Sequence, residues 1–143
     1  MPIVRRTAFA PFTTTQMYDL VNDVEAYPEF LPWCEHAALL TREADFVQAR
    51  MTVRKGRFHY SFTTANRLVA ARSIELRLVE GPFSRFQGAW HFAPADGGCM
   101  IDFNVEFEFA NRLVGRALAA AFKPIADSMV DAFRRRAYSV YPV

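Results

Sequence analysis

Cysteine is nearly missing from this sequence. Cys34 and Cys99 are the two present in 143 residues, and a lone pair far apart makes neither a disulfide framework nor a metal-binding spacing. Strong charge of one sign is missing too. Seventeen basic against fifteen acidic residues leave a net charge of +2, too mild to imply nucleic-acid binding by itself. No apolar run reaches the ~18 residues that a membrane-spanning helix needs. The N-terminus lacks a basic region followed by an apolar run and a cleavage site, so no secretory signal is expected and the protein is expected in the cytoplasm.

Chemistry-bearing motifs are equally scarce. His36, His59 and His91 stand far apart, with no HExxH or Cys-x-x-Cys setting, so no metal site is expected. There is no Gly-x-Ser-x-Gly elbow and no glycine-rich phosphate loop, which removes the common nucleophile and nucleotide devices.

Aromatic residues, by contrast, are plentiful: 15% of the chain, including 14 phenylalanines. A chain of this length reads as one domain over residues 1–143, and it buries roughly 70% of its unfolded surface without staples. So many phenylalanines predict either a thick core or a core with a cavity cut into it.

The densest cluster is Asp23-Val24-Glu25-Ala26-Tyr27-Pro28-Glu29-Phe30-Leu31-Pro32-Trp33-Cys34. Each proline fixes its own φ and biases the residue before it away from the α-helical region. Large apolar side chains are thus held on a stiff, broken-helix segment, which suits a lid or one wall of an apolar cavity.

Ile3–Ala10 reads as a strand ended by Pro11. Thr13-Thr14-Thr15-Gln16 is a capping box, and Met17, Leu20, Val21 and Val24 follow at helical spacing. From residue 37 the period becomes two. Val47, Ala49, Met51 and Val53 alternate with polar residues; so do Phe58, Tyr60 and Phe62, and then Ile74, Leu76 and Leu78. Phe86, Gly88, Trp90 and Phe92 form the next inward set, and Cys99 to Phe109 alternate almost perfectly. Such alternation predicts antiparallel strands with one buried face. With the first strand and Ala37–Thr41, the count is about seven.

Asn111 is the expected N-cap of a final helix. Its apolar stripe is Val114, Leu118, Phe122, Ile125, Met129, Phe133 and Val140, with Pro124 expected to kink it. Ala117 and Ala119–Ala121 should keep one section slim. The class is therefore α+β: two short helices after the first strand, then a curved antiparallel sheet wrapped around a long C-terminal helix. A cavity between sheet and helix is a natural result.

The candidate ligand-binding residues are Phe30, Trp33, Tyr60, Phe62, Trp90, Phe92, Leu118, Phe122 and Met129. Phe30 and Trp33 would gate the mouth, and the others would line apolar walls. Glu106, Glu108 and Asp102 fall on the wet register, which argues against acid–base work. An aromatase or cyclase would need a polar group at the pocket floor. Tyr60 is the only inward candidate, so no catalytic residue is assigned. Arg54, Lys55, Arg134 and Arg135 are candidate contacts for phosphates of RNA or of an anionic membrane surface.

Val24 to Cys34, and above all Tyr27-Pro28-Glu29-Phe30-Leu31-Pro32-Trp33-Cys34, resembles the hallmark of the coenzyme Q-binding START-like family. Gly81-Pro82-Phe83, Gly88-Ala89-Trp90-His91-Phe92, Phe107-Glu108-Phe109 and Met129-Val130-Asp131-Ala132-Phe133 resemble its later blocks. Ala65 departs from the pattern, standing where relatives often carry arginine. The resemblance implies a helix-grip (START-like) fold and a lipid-like ligand, ubiquinone or a related isoprenoid, carried in support of respiration. No other cofactor is implied. It also implies the large ribosomal subunit as a possible partner, since bacterial relatives are described as toxins that block subunit joining. Other relatives are named polyketide cyclases.

Overall fold

A computed structural model describes residues 2–142. Strand β1 (Ile3–Ala10) leads into helix α1 (Thr14–Asn22). The capping box forms as the sequence predicts. Thr13 Oγ1 accepts from the Gln16 backbone N–H at 3.1 Å, and Gln16 Oε1 accepts from the Thr13 N–H at 2.9 Å. Two otherwise unpaired N–H groups are satisfied this way.

The chain then tightens into a 3₁₀ segment, Val24–Glu29, with Pro28 inside it. Pro28 has no N–H to give, and the tighter helix tolerates that in a short piece. Tyr27 therefore stays within a helical turn despite the proline after it. Phe30 and Leu31 both donate their N–H to the Tyr27 carbonyl, closing the segment.

Six strands follow: β2 (Cys34–Arg42), β3 (Phe46–Lys55), β4 (Phe58–Val69), β5 (Ser73–Glu80), β6 (Phe83–Ala95) and β7 (Gly98–Phe109). They form one antiparallel seven-stranded sheet with β1, in the order β1-β7-β6-β5-β4-β3-β2. Irregularities break the register in β2–β3, β4–β5 and β6–β7. Bulges bend and twist a strand locally, which lets the sheet curve around helix α2 (Gly115–Val140). β2 begins earlier than its alternation suggests, because the bulge after Cys34 disrupts the period-two pattern there.

Two expectations for α2 need correction. Asn111 does not cap the helix. Its side-chain oxygen accepts from the N–H groups of Leu113 and Val114, at 2.8 and 3.4 Å, and so caps the turn before it. The apolar stripe is also shorter than the sequence pattern. Phe122, Ile125, Met129 and Phe133 are buried, but Val114 and Val140 at the two ends are exposed. Of the alanine section, Ala117 and Ala120 are exposed, while Ala119 is half-buried against the core. The helix runs through Pro124 without interruption.

Rings fasten helix to sheet. Phe122 meets Phe107 edge-on at 4.7 Å, and Phe133 meets Trp90 edge-on at 5.3 Å. Such pairs add about 0.5–1.5 kcal/mol beyond their burial.

β1 closes against the start of β7 at Gly98. A Cβ there would sit 2.0 Å from the Ala10 carbonyl oxygen, and that neighbour is backbone. Gly98→Ala is expected to lower stability by about 1–3 kcal/mol, read from urea unfolding. An unchanged midpoint would show that the strand end yields freely.

Candidate functional site

A cavity of about 60 Å³ lies between the sheet and α2. Its origin is visible in one cross-sheet row. Val47, Asn66, Leu76, Gly88 and Val105 are paired neighbours on β3, β4, β5, β6 and β7. Gly88 contributes no side chain, and a Cβ there would lie 2.6 Å from the Asn104 carbonyl oxygen. Opposite the sheet, α2 presents the small Ala126 beside Ile125 and Met129. A missing side chain on one wall and a methyl on the other leave the space.

The proline-rich segment supplies a wall of the cavity. Tyr27 and Trp33 both line it, and Trp33 is only 8% exposed. The Tyr27 hydroxyl donates to the Val21 carbonyl, tying the segment back to α1. Burial pushes the Tyr27 phenol far above its ordinary range.

Of the residues expected to bind ligand, Trp33, Phe62, Trp90, Phe122 and Met129 share this lining. The other four lie elsewhere. Phe30 sits outside, half-buried, edge-on to Phe133 at 5.2 Å. The Arg136 guanidinium lies 4.8 Å above its ring and also binds Glu29 at 2.9 Å. These contacts strap the proline segment to the C-terminal part of α2. Phe92 is buried under α1, edge-on to Tyr18 at 6.0 Å. Tyr60 packs behind the lining, 6.5 Å from Phe62, 6.3 Å from Phe83 and 5.7 Å from Phe109, and burial raises its phenol well above the usual value. Leu118 is half-buried one turn before Phe122.

Two polar lining residues fall outside the inward aromatic set: Thr64 and Asn66. They continue the same alternation past Phe62 and are buried. The Thr64 hydroxyl donates to Asn66 Oδ1 at 2.7 Å. Following the period onward from Phe58, Tyr60 and Phe62 would have found them.

The remaining chemistry faces water. Glu106 accepts from Gln87 at 2.9 Å, and Asp102 accepts from Thr7 at 3.0 Å and Arg5 at 3.3 Å. His59 is exposed against Glu35 at 3.2 Å. Among the candidate phosphate contacts, Arg54 pairs with Glu35 at 3.1 Å and Arg134 with Asp131 at 3.3 Å. Lys55 and Arg135 are exposed and form no ion pair among the described residues.

Burial pushes the Cys34 thiol up to about 11. At pH 8 roughly one molecule in a thousand then carries the thiolate, the reactive form. Native protein is expected to resist iodoacetamide at pH 8, and urea-unfolded protein to react at both cysteines. Rapid labelling of the native state would contradict this burial.

Fold and cavity together define a helix-grip protein: an antiparallel sheet closed on a C-terminal helix around an apolar hollow. The chain belongs to the polyketide cyclase/dehydrase and lipid transport family, whose model matches residues 11–134. It is 42% identical over 142 residues to the ribosome association toxin RatA of Escherichia coli K12, covering 99% of this chain and 90% of that protein. It is 27% identical over 135 residues to the mitochondrial coenzyme Q-binding protein COQ10 homolog B of Xenopus laevis, covering 91% of this chain and 55% of that protein. Among solved structures, TTHA0849 from Thermus thermophilus superposes with a TM-score of 0.88 at 18% identity, covering 99% of this chain and 100% of that one. At that identity the likeness speaks for the fold.

Proposed function

We propose that this chain binds a hydrophobic small molecule between sheet and α2, ubiquinone or a related isoprenoid, and carries it without chemical change. The observation that carries this reading is the lining, which is apolar and aromatic apart from Thr64 and Asn66, with the two tryptophans of the chain both in it. The likeness to a coenzyme Q-binding protein supports the ligand class. The lining includes no carboxylate, histidine, lysine or cysteine. Tyr27 is its one titratable group, and its hydroxyl is already donated to backbone. Proton transfer, which a cyclase requires, has no positioned group there.

Size sets a condition on loading. About 60 Å³ holds a few waters at roughly 10–15 Å³ each on the same measure. Drug-sized ligands occupy clefts of about 300–1,000 Å³. The cavity must therefore widen to admit a quinone ring. Met51 and Met129 line it, and flexible thioethers re-pack at low cost. The test is native mass spectrometry of protein isolated from its own host. A bound species with the mass of a quinone is expected. A ligand-free protein that also fails to extract quinone from liposomes would remove the reading.

A second reading is association with the large ribosomal subunit, in the cytoplasm. It is favoured by the 42% identity to RatA along nearly the whole chain. Lys55 and Arg135, exposed and without ion-pair partners among the described residues, are cations free for phosphate contact. Sucrose-gradient profiles on overexpression should show free subunits at the expense of 70S particles, with the protein beside the large subunit. Unchanged profiles without co-sedimentation would eliminate it.

A further inference from the structure

Thr63, Thr64 and Asn66 are the buried polar side chains among the described residues, and all three fall on β4. Thr64 and Asn66 line the cavity. An inward strand position beside Val47 and Leu76 is one where leucine would pack without polar cost. A buried carboxamide lacking partners is instead destabilising. Asn66 is 4% exposed, yet only its oxygen is used: it accepts the Thr64 hydroxyl. In this arrangement Oδ1 faces Thr64 and Nδ2 lies on the other side of the carboxamide. Nδ2 donates in no side-chain hydrogen bond among the described residues, and it is not one of the fully enclosed unpaired atoms, which are Asn22 Oδ1 and Arg134 Nε. The indole N–H groups of Trp33 and Trp90, in the same lining, donate in none either. The unpaired groups of the lining just named are thus all donors, and none is charged.

We infer that Asn66, oriented by Thr64, is the specificity-determining residue of the cavity. Its amide donates to a carbonyl or other uncharged acceptor oxygen on the head of an otherwise hydrophobic ligand. The inference rests on the cavity being a ligand site, and it narrows the ligand to one with a neutral acceptor head. A carboxylate or phosphate head would enter without a counter-charge, which burial strongly disfavours. A pure hydrocarbon would leave the Asn66 donors unpaired.

The test is calorimetric titration with two ligands of equal size, a decyl-substituted benzoquinone and the corresponding decyl-substituted arene without oxygens. Wild type is expected to prefer the quinone by about fivefold or more, the scale of leaving one buried donor unpaired. Asn66→Leu, close to asparagine in volume, should bind the arene as well as wild type or better and lose most of the preference. Thr64→Val, which frees the carboxamide to turn, should lose part of it, and it carries the test should Asn66→Leu fail to fold. A preference retained by folded Asn66→Leu, or by Thr64→Val where that variant alone folds, overturns the inference. Equal binding of both ligands to wild type overturns it while leaving the ligand site standing. Binding of neither overturns both.

Discussion

Ala126→Leu is expected to abolish quinone uptake while leaving the protein folded. Ala126 is buried on α2 and faces the cavity. Three added carbon atoms would occupy most of a hollow of about 60 Å³. In a filled core such an insertion costs about 1–3 kcal/mol. Here the hollow absorbs part of the bulk, so the melting temperature should move little. Uptake is a different matter. One methylene in an apolar pocket shifts binding by about 10–200-fold, and three block the ring outright. Quinone transfer from liposomes, followed beside a thermal melt, checks both halves. A variant that folds and still takes up quinone would place the ligand elsewhere.

Phe133→Ala should be the most damaging single truncation on α2. Phe133 has no exposed surface. It packs edge-on against Tyr27 at 5.3 Å, Phe30 at 5.2 Å and Trp90 at 5.3 Å. One ring therefore joins the helix, the proline segment and the sheet. Removing it costs about 3–5 kcal/mol, a large share of the ~5–15 kcal/mol that holds a domain together. Urea unfolding should show the loss as a lower midpoint with an unchanged slope. A loss under about 1 kcal/mol would mean that the three elements are held independently.

Much of the fold was legible because its signals are local. Alternation from Val47 to Val53 and from Cys99 to Phe109 fixes both strand identity and buried face. The Thr13–Gln16 box marks the start of α1, and the resemblance around Tyr27–Cys34 pointed to the same helix-grip architecture. What stayed hidden depends on tertiary partners. Phe30 and Trp33 are three residues apart on one stiff segment, yet Trp33 lines the cavity while Phe30 lies outside beneath Arg136. Nothing in spacing alone separates them, because the Phe30 ring is held by Phe133 and Arg136 of α2, far along the chain. Tyr60 and Phe92 share the inward face with Phe62 and Trp90 and pack beside them, yet do not reach the hollow. A seven-stranded face is longer than the cavity it encloses.

The alanine section taught the opposite lesson. Small residues were expected to leave room, but Ala117 and Ala120 are exposed. The room comes from Ala126 and from Gly88, which is forced to be small by the Asn104 carbonyl. Thr64 and Asn66 were readable by period and were passed over because they are not aromatic. They are the two polar side chains other than Tyr27 in the lining.

Both tryptophans line the cavity, so intrinsic fluorescence reports on its occupant directly. The decisive measurement is a titration of the protein with a short-chain ubiquinone analogue, followed by tryptophan emission. Saturable quenching in the wild type, lost in Ala126→Leu, is the predicted result. Quenching that never saturates, or that is identical in Ala126→Leu, would contradict a ligand site between sheet and helix.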